Sequence, residues 1–228
     1  MSIGGSIGKR VAPHIPKAAP EMTHNFVREA LNRAIRGVGA LPPAAFTADK
    51  LLKLADGNSK KAIRDLIEMH VRYAGGQGFL TNLGGLVTAA VTIPANVAGL
   101  ALIQCRMVAA IAHLRGYDLD DPRVRNAILA LMLGEDDVMT LVKKEKLPAT
   151  PMAIATAPVH DPDLDKIVAS DVASELITKA AGKHLATAVG RRIPVLGGMV
   201  GLTADGYSTW RIGRYADREF LSRPSARR

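Results

Sequence analysis

An all-α fold, a helical bundle, follows from three observations. Apolar residues recur at spacings of three and four along most of the chain, and alternating strand patterns are almost absent. Aromatic residues are only 4% of the sequence, so the core is built from Ala, Val, Leu, Ile and Gly, which favours close helix packing. Third, the stretch Tyr73–Cys105 carries no Asp, Glu, Lys or Arg between Arg72 and Arg106. It is long enough to cross a bilayer, which takes roughly 20 apolar residues. Its glycines, Pro94 and the amides of Gln77, Asn82, Asn96 and Gln104 make it a poor spanning helix, since each polar group would need a partner in hydrocarbon. It reads instead as a Gly-rich apolar helical hairpin at the centre of the bundle, hinged near Ile93-Pro94, either buried in protein or also meeting lipid. Pro94 is expected to break the helix there, because proline lacks a donor and clashes with the preceding turn.

The elements follow in order. Residues 1–22 hold glycines, prolines and basic residues without helical period and read as a flexible basic arm. Thr23 is a candidate cap for a helix with Phe26, Ala30, Leu31 and Ile35 on one face, ending near Gly37 or Gly39. Thr47, after the Leu41-Pro42-Pro43 turn, is a second candidate cap. Asp56-Gly57-Asn58-Ser59 has turn chemistry, and Lys60–Arg72 is amphipathic, with Ile63, Leu66, Ile67 and Val71 as its apolar face. The helix after Pro94 should stop at Gly116. Asp120 is the candidate cap of the next, with Pro122 near its start. Residues 143–162 carry four prolines and read as an irregular linker and a candidate internal boundary of the helical domain 23–221. Leu164–Val189 is helical, Arg191-Arg192-Ile193-Pro194 interrupts, and a Gly-rich entry leads to a last helix ending near Phe220. Residues 222–228 form a basic tail. A faint echo relates Gly84–Gly116 to Gly190–Phe220.

Lys and Arg outnumber Asp and Glu by 30 to 21, which favours anionic partners. No recognised nucleic-acid motif accompanies that charge, so a specific nucleic-acid partner is not expected. Single Cys105 excludes an internal disulfide and suits a reducing compartment; it is expected to be buried and inert. Lys9 and Arg10 are not followed by an apolar run, so the expected location is the cytoplasm, peripheral at the inner face of the cell membrane.

Two sets of residues carry candidate chemistry. On the helix after Pro94, Asn96, Arg106 and His113 fall on one stripe with Gly99, Ile103 and Ala110. Either they satisfy neighbouring backbone, or they form a polar spot that grips a head group or carboxylate. Catalysis by His113 would need a nucleophile or acid that the spacing does not supply. On the last helix Tyr207, Arg211, Arg214 and Arg218 share a face, with Trp210 and Tyr215 near. Guanidiniums and aromatics so placed suit phosphate or an anionic lipid surface, or else form a solvated face with Arg214 paired to Asp217. No metal or cofactor is expected. His160–Asp165 lacks the Gly and distal Glu of a calcium loop, and its acids more simply begin the following helix. The Gly-rich segments lack a Gly-Lys-Ser/Thr sequence and have no preceding strand.

In combination these segments resemble the EcsC protein family. They are Gly78-Phe79-Leu80-Thr81-Asn82-Leu83-Gly84-Gly85, Ile93-Pro94-Ala95-Asn96-Val97, Gln104–Ala112, Arg115-Gly116-Tyr117-Asp118, Ile193–Gly198, Asp205-Gly206-Tyr207, Ile212-Gly213 and Ala216–Phe220. The resemblance covers about Asn25–Phe220. Many relatives carry an acidic residue near the Pro94 hinge, where Asn96 stands here. The resemblance implies a helical bacterial protein in the context of a membrane transporter, without a settled reaction. The expected function is non-enzymatic: peripheral membrane association or lipid-like ligand binding, accessory to a transporter or envelope stress response. The alternatives are a protein–protein adaptor using the apolar hairpin, with a membrane-protein partner, and a hydrolase of unknown substrate. The oligomeric state is not legible.

Overall fold

The computed structural model describes residues 20–39, 41–75, 95–174 and 196–223. Among these residues every element is helical apart from an isolated bridge between Val38 and Leu41, so the fold is all-α. The helices are α1 (Pro20–Arg36), α2 (Ala44–Leu54), α3 (Ser59–Gly75), α4 (Ala95–Leu114), α5 (Pro122–Leu133), α6 (Glu135–Lys143), α7 (Pro151–Ala155), α8 over residues 162–174 and α9 (Leu196–Glu219).

α4 is the axis of the bundle. It is apolar nearly all round, and every residue from Ala101 to Ala112 is buried. α1, α2, α3, α5 and α9 all pack on it. The preceding arm of the expected hairpin, residues 76–94, lies outside the described residues; α4 begins at Ala95, directly after Pro94. No described helix is long and apolar enough to cross a membrane.

Helix ends follow local chemistry, with three corrections. α1 begins at Pro20, so Thr23 is inside it rather than its cap. It ends before Gly37, whose φ of +87° favours glycine; a Cβ there would also meet the Leu41 carbonyl oxygen at 2.5 Å. α2 begins after Pro43, so Thr47 is interior, and its hydroxyl is used elsewhere. Asp121, not Asp120, caps α5, accepting from the Arg123 amide at 2.8 Å with Pro122 at the first helical position. Asn58 caps α3 by accepting from the Lys61 amide at 3.0 Å.

α3 and α9 run antiparallel in close contact. Gly213 on α9 faces Ile67 and Gly206 faces Val71. The segment 143–162, expected as irregular linker, contains α7 and sends Leu147, Ile154 and Ala155 into the same apolar core as α4 and α5. The last helix ends at Glu219 as expected, and Phe220 is fully buried against Tyr117, ring centroids 4.8 Å apart. The first residues of the basic tail are tied down. The Arg223 amide donates to the Arg115 carbonyl at 2.8 Å, and Arg115 donates to the Ser222 hydroxyl at 2.8 Å.

Candidate functional site

The polar stripe of α4 is a clamp on α2. Arg106 is 5% exposed and donates to the Pro42 carbonyl and, at 2.5 Å, to the Thr47 hydroxyl. Burial pushes its pKa down from the ordinary arginine value. His113 Nε2 lies 2.8 Å from Asp49 Oδ1. The side chain of Asn96 lies outside the described residues. Two of the three stripe residues thus meet on one neighbour, where they satisfy one backbone carbonyl and two side chains of the α2 segment. His113 also lines a cleft of about 440 Å³ with Arg36, Tyr117, Asp118 and Asp120, in which Arg36 donates to Asp120 at 3.2 Å.

Cys105 is buried among apolar neighbours, which pushes its thiol pKa up to about 12. The acids of 160–165 act locally. Asp161 accepts from the Asp163 amide at 2.9 Å. Asp165 turns into the α1–α5 junction, taking His160 at 2.9 Å, Asn126 at 2.6 Å and Arg28.

The face of α9 divides into two functions. Arg211 pairs with Asp136 at 2.7 Å and Arg218 with Glu135, so these two arginines hold the acidic first turn of α6. Among the described residues Arg214, one turn from both, has only Asp217 as a charge partner, at 3.7 Å. Tyr207 and Trp210 are 62% and 47% exposed and stack with centroids 6.0 Å apart. Tyr215 is instead buried in the core. Tyr207, Trp210 and Arg214 recur at helical spacing, so the exposed aromatic pair stands on the Arg214 side of α9.

Packing adds cations that the sequence reading did not single out. Lys60 and Arg64 of α3, Arg115 after α4, and Arg214 and Asp217 of α9 line one cleft of about 360 Å³, floored by Ile67. Arg115 is fixed by Asp217 and Ser222, and its Nε is buried without a hydrogen-bond partner among the described residues. No described carboxylate lies within ion-pairing distance of Lys60 or Arg64. One local signal was available. Lys60, Lys61 and Arg64 open α3 with no acid in the first turn, against the preference of the positive helix end for anions.

The arrangement can bind an anion: four cations from three segments converge on one cleft, with a single carboxylate already shared by two of them. No described group of three or more His, Cys, Asp or Glu could hold a metal. Among known proteins, no curated sequence and no solved structure matches the chain. A model of the EcsC protein family matches residues 2–224, which extends the resemblance seen at Asn25–Phe220 into both ends. With the helical architecture and the matched span in agreement, the chain belongs to the EcsC protein family.

Proposed function

We propose that this is a non-enzymatic, peripheral membrane protein that binds anionic lipid head groups through α9 and its neighbours, at the cytoplasmic face of the cell membrane. The observation that carries the reading is the combination on one side of α9. A cationic cleft opens at Arg214, and the exposed Tyr207–Trp210 stack stands on the same face of the helix. Aromatic rings favour the interfacial layer of a bilayer, and basic residues near an anionic surface each add binding that salt weakens. The absence of a described helix able to span is compatible with attachment from one side. Co-sedimentation of the full chain with anionic vesicles at low salt tests the reading. Binding that falls with added salt supports it, and no binding at low salt overturns it.

A further inference from the structure

Within this reading, we propose that the cleft formed by Lys60, Arg64, Arg115 and Arg214 is a subsite for a phosphomonoester dianion.

Three observations carry this beyond general attraction to an acidic surface. The first is division of labour among the cations. Arg211 and Arg218 already hold Asp136 and Glu135, whereas no carboxylate among the described residues pairs with Lys60 or Arg64. The second is positioning. Asp217 accepts from Arg115 and lies 3.7 Å from Arg214, so one carboxylate holds two guanidiniums at the cleft, and it is outnumbered by the four cations that line it. Arg115 is further fixed by Ser222 and by its carbonyl's bond to Arg223, so its guanidinium is preorganised. The third is the field of α3. Lys60 lies in its first turn, where the helix dipole is positive and no acidic residue stands to offset it.

Charge selects the class of ligand. A phosphomonoester carries about −1.5 to −2 at neutral pH, which offsets more of the surplus of four cations over one carboxylate in the cleft than the single charge of a phosphodiester does. Arginine forks also match phosphate oxygens bidentately. The same group can be presented by a lipid such as phosphatidic acid or by a small soluble ester such as glycerol 3-phosphate.

The experiment uses the full chain and the double variant Lys60→Gln/Arg64→Gln. Both residues are exposed, so folding should survive, and circular dichroism confirms it. Two titrations are run. One compares vesicles of phosphatidic acid with vesicles of phosphatidylglycerol adjusted to equal surface charge. The other follows glycerol 3-phosphate by calorimetry. A preference for phosphatidic acid that the double variant loses by about tenfold or more supports a lipid-borne ester. Glycerol 3-phosphate binding that the variant loses, without a vesicle preference, supports the subsite with a soluble ester as its occupant. Equal binding to both vesicle types, with no glycerol 3-phosphate binding, overturns the subsite even if vesicle attachment itself holds. A variant that binds either ester like the parent overturns it as well.

Discussion

The Arg106 guanidinium and the Thr47 hydroxyl are joined by a 2.5 Å hydrogen bond that fixes α2 to the central helix. A charged donor nine-tenths buried has no water to fall back on, so its partners matter more than an exposed pair would. Thr47→Val keeps the shape and leaves one guanidinium nitrogen unmet. The expected loss is about 1–3 kcal/mol of stability, read as a lower urea midpoint at unchanged slope. A midpoint equal to the parent's would show that water takes the hydroxyl's place.

Two glycines of α9 should answer the same substitution in opposite directions. At Gly206 an added Cβ meets Val71 Cγ1 at 3.6 Å, which is ordinary contact. Gly206→Ala therefore gains helix propensity, about 0.5–1 kcal/mol. At Gly213 the Cβ would lie 2.9 Å from Ile67 Cγ1 and 3.1 Å from Met107 Cε. Overpacking of that kind typically costs about 1–3 kcal/mol, enough to exceed the propensity gain. Thermal melts of the two variants check the contrast; two shifts of the same sign would contradict the described α3–α9 packing.

His70 should make stability depend on pH. Its Nδ1–H donates to the Leu66 carbonyl at 2.9 Å, and Nε2 is buried without a described partner. Burial pulls the pKa from 6.5 down to about 4. The unfolded chain therefore takes up a proton first as pH falls. The neutral ring's contribution is complete above pH 6.5 and is lost between there and about 4, by about 3 kcal/mol across the window. His70→Leu removes this dependence. Urea midpoints measured from pH 7.5 to 4.5 should drop more steeply for the parent than for the variant, and parallel lines would count against the assignment.

Trp210 is half exposed, stacked on Tyr207 and away from the core. If α9 meets a bilayer, Trp210→Ser should leave the melting temperature nearly unchanged and weaken vesicle binding about tenfold or more, with the tryptophan fluorescence of the parent shifting to the blue on binding. Unchanged fluorescence on addition of anionic vesicles would place the contact elsewhere on the surface.

The arginines of α9 should not contribute equally to that attachment. Replacing Arg211, Arg214 and Arg218 together by Gln is expected to weaken binding to anionic vesicles by about a hundredfold at low salt. Arg214→Gln alone should account for more of the loss than Arg211→Gln or Arg218→Gln, because those two spend much of their charge on α6. Co-sedimentation of the single variants measures this, and equal single effects would mean that the pairs to Asp136 and Glu135 open at the membrane.

The sequence by itself determined that the fold is helical and where most of the longer described helices lie, but not α7 within the stretch expected as linker. Periodicity, the turn at Asp56-Gly57, the proline at the start of α5 and the glycine stops after α1 and α4 are short-range effects, and they are legible because each acts within a turn or two. The apolar run likewise marked α4 as the centre, since a helix without a polar face has to be surrounded. Caps were less legible. Thr47 has the right chemistry for a cap, but Arg106, distant in sequence, claims its hydroxyl. The candidate site was legible only in half. The basic and aromatic residues of α9 share a face by spacing alone, yet spacing could not say that Arg211 and Arg218 are already paired while Arg214 is left to a cleft. What a cation can bind depends on its nearest counter-charge. Lys60, Arg64, Arg115 and Arg214 come from three separate segments, and only the packing of α3 on α9 at the end of α4 brings them together.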